Sequence, residues 1–464
     1  MKMYRLIGDR KFYRKVLYIT IPIMIQNGIT NFVNMLDNIM VGQVGTEQMS
    51  GVAIVNQLMF VFNICIFGAV AGAGILGAQY YGSGNHEGVR HTFRFKLFGC
   101  LALTALGLFV LRGWGGDLIR TYLHDGSDVG DIEATFRYGS RYLNIMLIGL
   151  LPFSLVQMYS GTLRETGETM MPMTAGIAAV AVNMVFNYIL IFGKFGAPRL
   201  GVEGAAIATV LSRFVELIII AVWTHTHKEK NPFIVGVYRS LHIPGPLVRQ
   251  ILITGMPLMI NEALWSGGMA MIAQCYSVRG LAVVAGINIA NTIANVFNVV
   301  FLSLGNAVGI IVGQLLGAGK LEEAKAEDNK LLAFAVVCCA AVGIVMYLIA
   351  PVFPQIYKTS DEVRDLATRF IRISALCMPL YGFTNAAYFT LRSGGKTLVT
   401  FVFDSMFVWV VSIPLVYVLI RYTALGIVPV YLACQLTEFI KCCIGFGLVK
   451  KGVWIQNMVI KGAG

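Results

Sequence analysis

Asp37 is an acid set among amides in a stretch that is otherwise apolar. Asn27, Asn31, Asn34 and Asn38 follow one another at intervals of four, three and four residues, which lays four amides along one stripe of a helix. Asp37 sits beside that stripe, one turn beyond Asn34. A charge inside hydrocarbon costs roughly 2.5–3.5 kcal/mol on insertion scales, so such a residue needs a reason. A hydrogen-bond seam between helices accounts for the amides. It does not account for a carboxylate, whereas binding a cation or a proton does. Asn183 and Asn187, four residues apart on one face of a later helix, and Thr209 in the next, supply amide and hydroxyl oxygens. Oxygens of this kind can cage a hard cation, and with Asp37 and Asn34 they form the first candidate site.

A second acid, Glu262, stands alone in another apolar stretch, five residues after Pro257. Tyr381 and Asn385, spaced i, i+4, are placed to reach it from a different helix. A protonated, hydrogen-bonded glutamic acid would serve structure only; an acid that exchanges its proton would serve transport.

The elements that carry these residues are membrane helices. The chain is 57% hydrophobic and only 13% charged, with a mean hydropathy of +0.72. About 20 helical residues cross the hydrocarbon of a bilayer. Twelve apolar runs meet that length, near residues 14–39, 50–80, 95–112, 137–161, 171–193, 203–223, 249–276, 283–315, 331–352, 366–390, 397–420 and 426–449. The predicted fold class is therefore an all-α polytopic membrane protein of twelve spans. Lys2, Arg5, Arg10, Lys11, Arg14 and Lys15 precede the first run, which is too long for a signal peptide and lacks an A-x-A cleavage site. Twelve spans return Lys450, Lys451 and Lys461 to the same side, where Lys and Arg outnumber those of the opposite loops. The opposite loops hold acids instead: Asp117, Asp125, Asp128, Asp131 and Glu133. By the positive-inside rule the chain sits in an inner membrane with both termini cytoplasmic. The net charge of +12 is thus an orientation signal and not a nucleic-acid footprint.

The chain also repeats itself. Gln79-x-x-Gly-x-Gly returns as Gln314-x-x-Gly-x-Gly, 235 residues later, and Pro22, Gln26 and Asn56 answer to Pro257, Asn261 and Asn291 in the same register. Thr162-Leu163-Arg164 returns as Thr390-Leu391-Arg392, and Glu216 near Arg213 is answered by Glu438 near Lys441. Two six-helix lobes follow, 1–223 and 249–464, joined by a polar cytoplasmic linker at 224–248. Six spans per half make the repeats parallel, and a substrate path is expected at their interface. Glu216 and Glu438 read as i, i+3 salt pairs, and Arg164 and Arg392 as helix-end anchors with snorkelling side chains.

Other chemistries find little support. The nine cysteines form no C-x-x-C pair and read as buried small hydrophobes, and the six histidines form no metal-ligand cluster. No H-E-x-x-H or G-x-S-x-G is present, and no segment is long enough for a soluble catalytic domain, so no catalytic residue, resident metal or cofactor is expected and the chain is not read as an enzyme. The 21 methionines suit core filling and also a pocket for varied ligands.

With these residues assembled, the chain resembles the multidrug and toxic compound extrusion (MATE) family of cation-coupled exporters. The resemblance covers essentially the whole chain. It rests on Asp37 in Leu36-Asp37-Asn38-Ile39-Met40-Val41-Gly42, on Gln79-x-x-Gly-x-Gly, on Gly161-Thr162-Leu163-Arg164, and on the stretch from Asn187 to Arg213. It implies two lobes around a central cavity and export of amphipathic, often cationic, organic compounds by alternating access, in exchange for sodium or protons. It also implies a cation site at Asp37, Asn183, Asn187 and Thr209, although relatives often carry aspartate at the place of Asn187. In another branch, acids on helices 7 and 10 form a site; here Glu262 fits the first, while the second falls on Asn385. Gln26, Asn31, Tyr381 and Asn385 are the expected cavity lining. The expected partners are the lipid bilayer and small organic substrates, with no nucleic acid, and the chain is expected to act as a monomer. The alternative is a flippase for lipids or lipid-linked oligosaccharides, against which the scarcity of bases inside the spans argues.

Overall fold

Uninterrupted apolar sequence makes long helices, because in hydrocarbon every backbone N–H and C=O must be satisfied within its own segment. In the computed structural model, which describes residues 6–123, 131–357 and 359–459, ten helices are long and apolar enough to cross a membrane. They are α1 (Arg10–Gly42), α2 (Thr46–Gly82), α3 (His86–Tyr122), α4 (Ile132–Glu165), α5 (Met170–Phe192), α6 (Val202–Thr226), α8 (Leu281–Gly317), α9 (Leu321–Ile349), α11 (Thr397–Tyr422) and α12 (Ile427–Lys450). Two further 33-residue helices, α7 (Gly245–Ser277) and α10 (Asp361–Ser393), complete the twelve. Among the described residues there is no strand. Lys2, Arg5, Asp125, Asp128 and Lys461, which enter the charge argument, lie outside the described residues, as does the side chain of Asn38.

Polar side chains start several helices. Asn85 accepts from Gly88 N at 2.8 Å ahead of α3, and Asp131 accepts from Glu133 N and Ala134 N at 2.9 and 3.2 Å ahead of α4. Large apolar side chains such as Phe109, Leu348 and Val410 are exposed, as residues facing lipid tails should be. Because lipid is as apolar as leucine, helices gain by close approach through small residues. Gly343 faces the backbone of Ala375 so tightly that an added methyl carbon would lie 2.5 Å from its carbonyl oxygen.

The residues divide into two units: 25–77 with 85–252, and 1–24 with 78–84 and 253–464. In the first unit α5 packs chiefly on α6, and α4 on α3 and α6. In the second, α10 packs on α8, α9 and α12, around a core that includes Phe370, Met378, Val416 and Tyr431. α1 passes from the second unit to the first between Met24 and Ile25, two residues after Pro22. The first unit ends at Leu252 and the last segment of the second begins at Ile253.

The repeated motif has a direct structural meaning within the second unit. A methyl carbon on Gly82 would lie 1.9 Å from the carbonyl oxygen of Gln314, and one on Gly317 would lie 1.9 Å from that of Gln79. The two copies thus pack on each other reciprocally, backbone against backbone. The closing glycines, Gly84 and Gly319, have φ of +74° and +73° and turn the chain out of α2 and α8. The fully buried Gln79 amide donates to Ser393 O at 2.9 Å and accepts from Met458 N at 2.8 Å, so this junction is satisfied at both ends.

Candidate functional site

α1, α5 and α6 bring four of the sequence-derived residues together in the first unit. Asn187 Nδ2 donates to Asp37 Oδ1 at 2.5 Å and lies 3.1 Å from Asn183 Oδ1. Asn183 Nδ2 donates to Thr209 Oγ1 at 3.3 Å. Turned the other way, the Asn183 amide donates to both Asp37 oxygens at 3.1 Å and accepts from Thr209 at 3.3 Å. Spacing explains the convergence: Asn183 and Asn187 are one turn apart on α5, and Gly204 lets α6 approach the backbone of Leu190, with a Cβ there only 2.7 Å from it. Asn187 is 1% exposed and its Oδ1 is a buried acceptor with no hydrogen bond. Asp37 is half-buried and forms no ion pair among the described residues. The cluster therefore holds a carboxylate, two amide oxygens and a hydroxyl, one of them an orphaned acceptor, and no base. That is a donor set for a cation or a proton.

The other stripe residues go elsewhere. Asn31 and Asn34 are exposed on α1 and make no hydrogen bond among the described residues. Gln26 accepts from Arg164 Nη2 at 2.5 Å and packs over Gly176 of α5. Arg164, read from the sequence as a snorkelling anchor, is thus tied to α1.

In the second unit Glu262 is half-buried on α7 and makes no hydrogen bond among the described residues. Tyr381 does not hydrogen-bond it; its hydroxyl donates to Gln435 Oε1 of α12 in a short contact. Asn385 leaves its Oδ1 buried without a partner, close over Gly305 of α8. Beside Glu262 lies a group the sequence reading passed over. Lys441 Nζ pairs with Asp404 Oδ1 at 2.6 Å, and Asn261 Nδ2 donates to Asp404 Oδ2 at 3.1 Å. Ser405 Oγ donates to Asn261 O at 2.6 Å. Asp404 sits in a stretch of α11 wound as π-turns, Val402–Met406 and Val408–Ser412, a distortion often found at functional positions.

A third polar group is a buried ion pair in the first unit. Lys96 of α3, 0% exposed, donates to both Glu165 oxygens at 2.6 Å and to Thr162 Oγ1 at 3.1 Å. Gly74 and Gly77 of α2 leave the space: a Cβ at either would lie 2.5 or 2.4 Å from the Glu165 carboxylate. The sequence shows a lysine inside an apolar run, which needs a partner, but it does not point to Glu165.

Fold and site together define a polytopic helical transporter built from two copies of one unit, with an acid, amide and hydroxyl cluster in the first. The family model MatE matches residues 22–189 and 257–418, and the chain belongs to that family, the MATE multidrug efflux transporters. The two matches begin 235 residues apart (257 − 22), the interval of the sequence repeat. The chain is 25% identical over 457 residues to a probable multidrug resistance protein NorM of Thermotoga maritima, covering 96% of this chain and 94% of that one. It is 25% identical over 456 residues to a probable multidrug resistance protein YoeA of Bacillus subtilis, covering 97% and 96%. Among solved structures, an outward-facing multidrug resistance MATE family transporter superposes with a TM-score of 0.86 at 20% identity, over 97% of this chain and 98% of that one. A Vibrio cholerae MATE transporter, VcmN, also gives 0.86, at 16% identity over 96% and 98%. At these identities the superpositions speak for the fold.

Proposed function

We propose that the protein is a cation-coupled antiporter that exports amphipathic, often cationic, organic compounds by alternating access, acting as a monomer in an inner membrane with both termini cytoplasmic. The multidrug resistance names of its relatives support the substrate class. The observation that carries the coupling is the company Asp37 keeps: amides and a hydroxyl, an orphaned acceptor on Asn187, and no basic side chain.

Either ion suits this arrangement. Sodium would take Asp37, the amide oxygens of Asn183 and Asn187 and the Thr209 hydroxyl as ligands. A proton on Asp37 would let the acid donate to Asn187 Oδ1 once that amide rotates. Both neutralise the carboxylate, and that change can bias the packing of α1 against α5 and so the state the transporter favours. One charge crossing 100 mV supplies roughly 2.3 kcal/mol, enough for about a 50-fold gradient of an exported compound. Glu262, the acid of the other repeat, feels the Arg392 charge but forms no salt bridge among the described residues, and is the second place at which an ion can act.

The test is counterflow of a fluorescent organic cation in proteoliposomes, with sodium and proton gradients imposed one at a time, for wild type, Asp37→Asn and Glu262→Gln. Loss of gradient-driven transport in Asp37→Asn is expected. Full activity of both variants under either gradient would remove the proposed coupling.

A further inference from the structure

The linker between the repeats is docked on the first unit, and with the start of α3 it lines an open basic cleft. Phe233, Ile234 and Val237 of the linker are buried, with Phe233 packed on Phe93 of α3 at 5.6 Å between ring centroids. Arg94, 5% exposed, fastens the linker by donating to Val237 O at 2.7 Å, Gly236 O at 3.2 Å and His242 O at 3.3 Å. On the far side, the Tyr238 hydroxyl lies 3.1 Å from that of Tyr159. The result is a cleft of about 520 Å³ between the first turns of α3 and residues 235–242.

Three arginines line it, Arg90, Arg94 and Arg239, with His91 and His242, against one acid, Glu87. Glu87 lies 3.8 Å from His91 Nε2. Arg90 spends its Nε on Phe233 O at 3.3 Å. Its terminal nitrogens, and the whole guanidinium of Arg239, make no hydrogen bond among the described residues. Like charges gathered around one space repel unless an anion lies between them. Free guanidinium edges present paired N–H donors that match two oxygens of a phosphate. Arg90 and Arg94 also lie on the turns of α3 just before its apolar run, which begins near residue 95. That places the cleft at headgroup depth, a setting in which basic pockets take anionic lipid.

We propose that this cleft is a binding site for the phosphate of an anionic phospholipid headgroup, held by Arg90 and Arg239 over the floor that Arg94 fixes. Binding there would tie the linker to α3 on the face of the membrane that carries it. The proposal does not depend on which ion drives transport.

The experiment uses the full chain in neutral detergent, with native mass spectrometry and thermal unfolding as readouts. Phosphatidylglycerol, phosphatidylcholine and inorganic phosphate are added separately to wild type, Arg239→Gln, Arg90→Gln/Arg239→Gln and Arg249→Gln. Arg249 is basic and near the linker but does not line the cleft, so it controls for net charge. Phosphatidylglycerol should form a discrete adduct and raise the unfolding midpoint, while phosphatidylcholine should not. Its affinity should fall about fivefold for each cleft arginine removed and stay unchanged in Arg249→Gln. Equal affinity in wild type and the double variant would overturn the site. Equal stabilisation by inorganic phosphate would overturn the lipid assignment in favour of a soluble anion.

Discussion

Lys441 stands 2.6 Å from Asp404 and 3.9 Å from Glu438, so its tighter bond runs between helices and not along its own. The matching pair of the first repeat, Arg213 and Glu216, lies at 3.9 Å, and Arg213 places its guanidinium over the Phe153 ring at 4.9 Å. The two repeats therefore share an i, i+3 pair, and the second adds a half-buried acid that meets a buried lysine. Removing one partner of a buried ion pair strands the other charge, at a cost of roughly 3–5 kcal/mol, whereas replacing both is often neutral. Asp404→Asn and Lys441→Met should each lower the unfolding midpoint in detergent markedly. The double variant should recover most of the loss. A double variant no better than the singles would mean that the pair is not the principal interaction there.

The Lys96–Glu165 pair carries a steric prediction. A methyl carbon on Gly77 would fall 2.4 Å from Glu165 Oε2, into a carboxylate held by a buried lysine. Gly77→Ala should destabilise by about 1–3 kcal/mol, the usual cost of overpacking. Combining it with Glu165→Asp, which withdraws the carboxylate by one methylene, should restore part of that loss, and thermal unfolding of the three variants decides it.

The repeated glycines should rank by what surrounds them. Alanine at Gly82 or Gly317 places a carbon 1.9 Å from a backbone oxygen that has no side chain to move aside. Alanine at Gly84 meets nothing within 4 Å and bears only the cost of φ near +74°, about 1 kcal/mol. Yield and unfolding midpoint of Gly82→Ala and Gly317→Ala should fall well below those of Gly84→Ala. A reversed order would contradict the reciprocal packing of the two motifs.

The helices, their number and the repeat were all legible because hydrophobic length and register are linear properties of the chain. Asn183, Asn187 and Thr209 were legible beside Asp37 because each is a polar group in a span that must bury it. Other partnerships lie beyond linear reading. Lys96 and Glu165 are 69 residues apart, and nothing local links them. Asp404 lies within π-turns, where the 3.6-residue period no longer tells which face a side chain takes. Tyr381 shares a helix face with Asn385, yet its hydroxyl finds Gln435, because the choice depends on how α10 meets α12. The linker read only as a polar connection, although the carbonyls of Gly236, Val237 and His242 are what satisfy Arg94.

Sodium and protons should compete at Asp37. A metal ligand must be deprotonated, so binding sodium releases the proton it displaces. Below the carboxyl's own pKa the apparent sodium affinity should fall tenfold for each unit of pH, and well above it the affinity should level off. Sodium added to weakly buffered protein should acidify the solution in wild type and leave Asp37→Asn unchanged. Acidification that persists in Asp37→Asn and disappears in Glu262→Gln would place the exchange at the other acid.

Asn187→Asp sharpens that competition. It sets a second carboxyl where an amide nitrogen now lies 2.5 Å from Asp37 Oδ1. Two carboxylates so close cannot both stay ionised without a cation between them, so in sodium-free solution the pair must retain a proton. Sodium, bringing the neutralising charge itself, would drive that proton off. The variant should therefore release more protons per sodium bound than wild type at neutral pH. It should also hold sodium more tightly once the proton is gone, since two charged ligands replace one. Isothermal titration in buffers of different ionisation enthalpy measures both quantities. Proton release no greater than that of wild type would show that Asn187 does not face the ion.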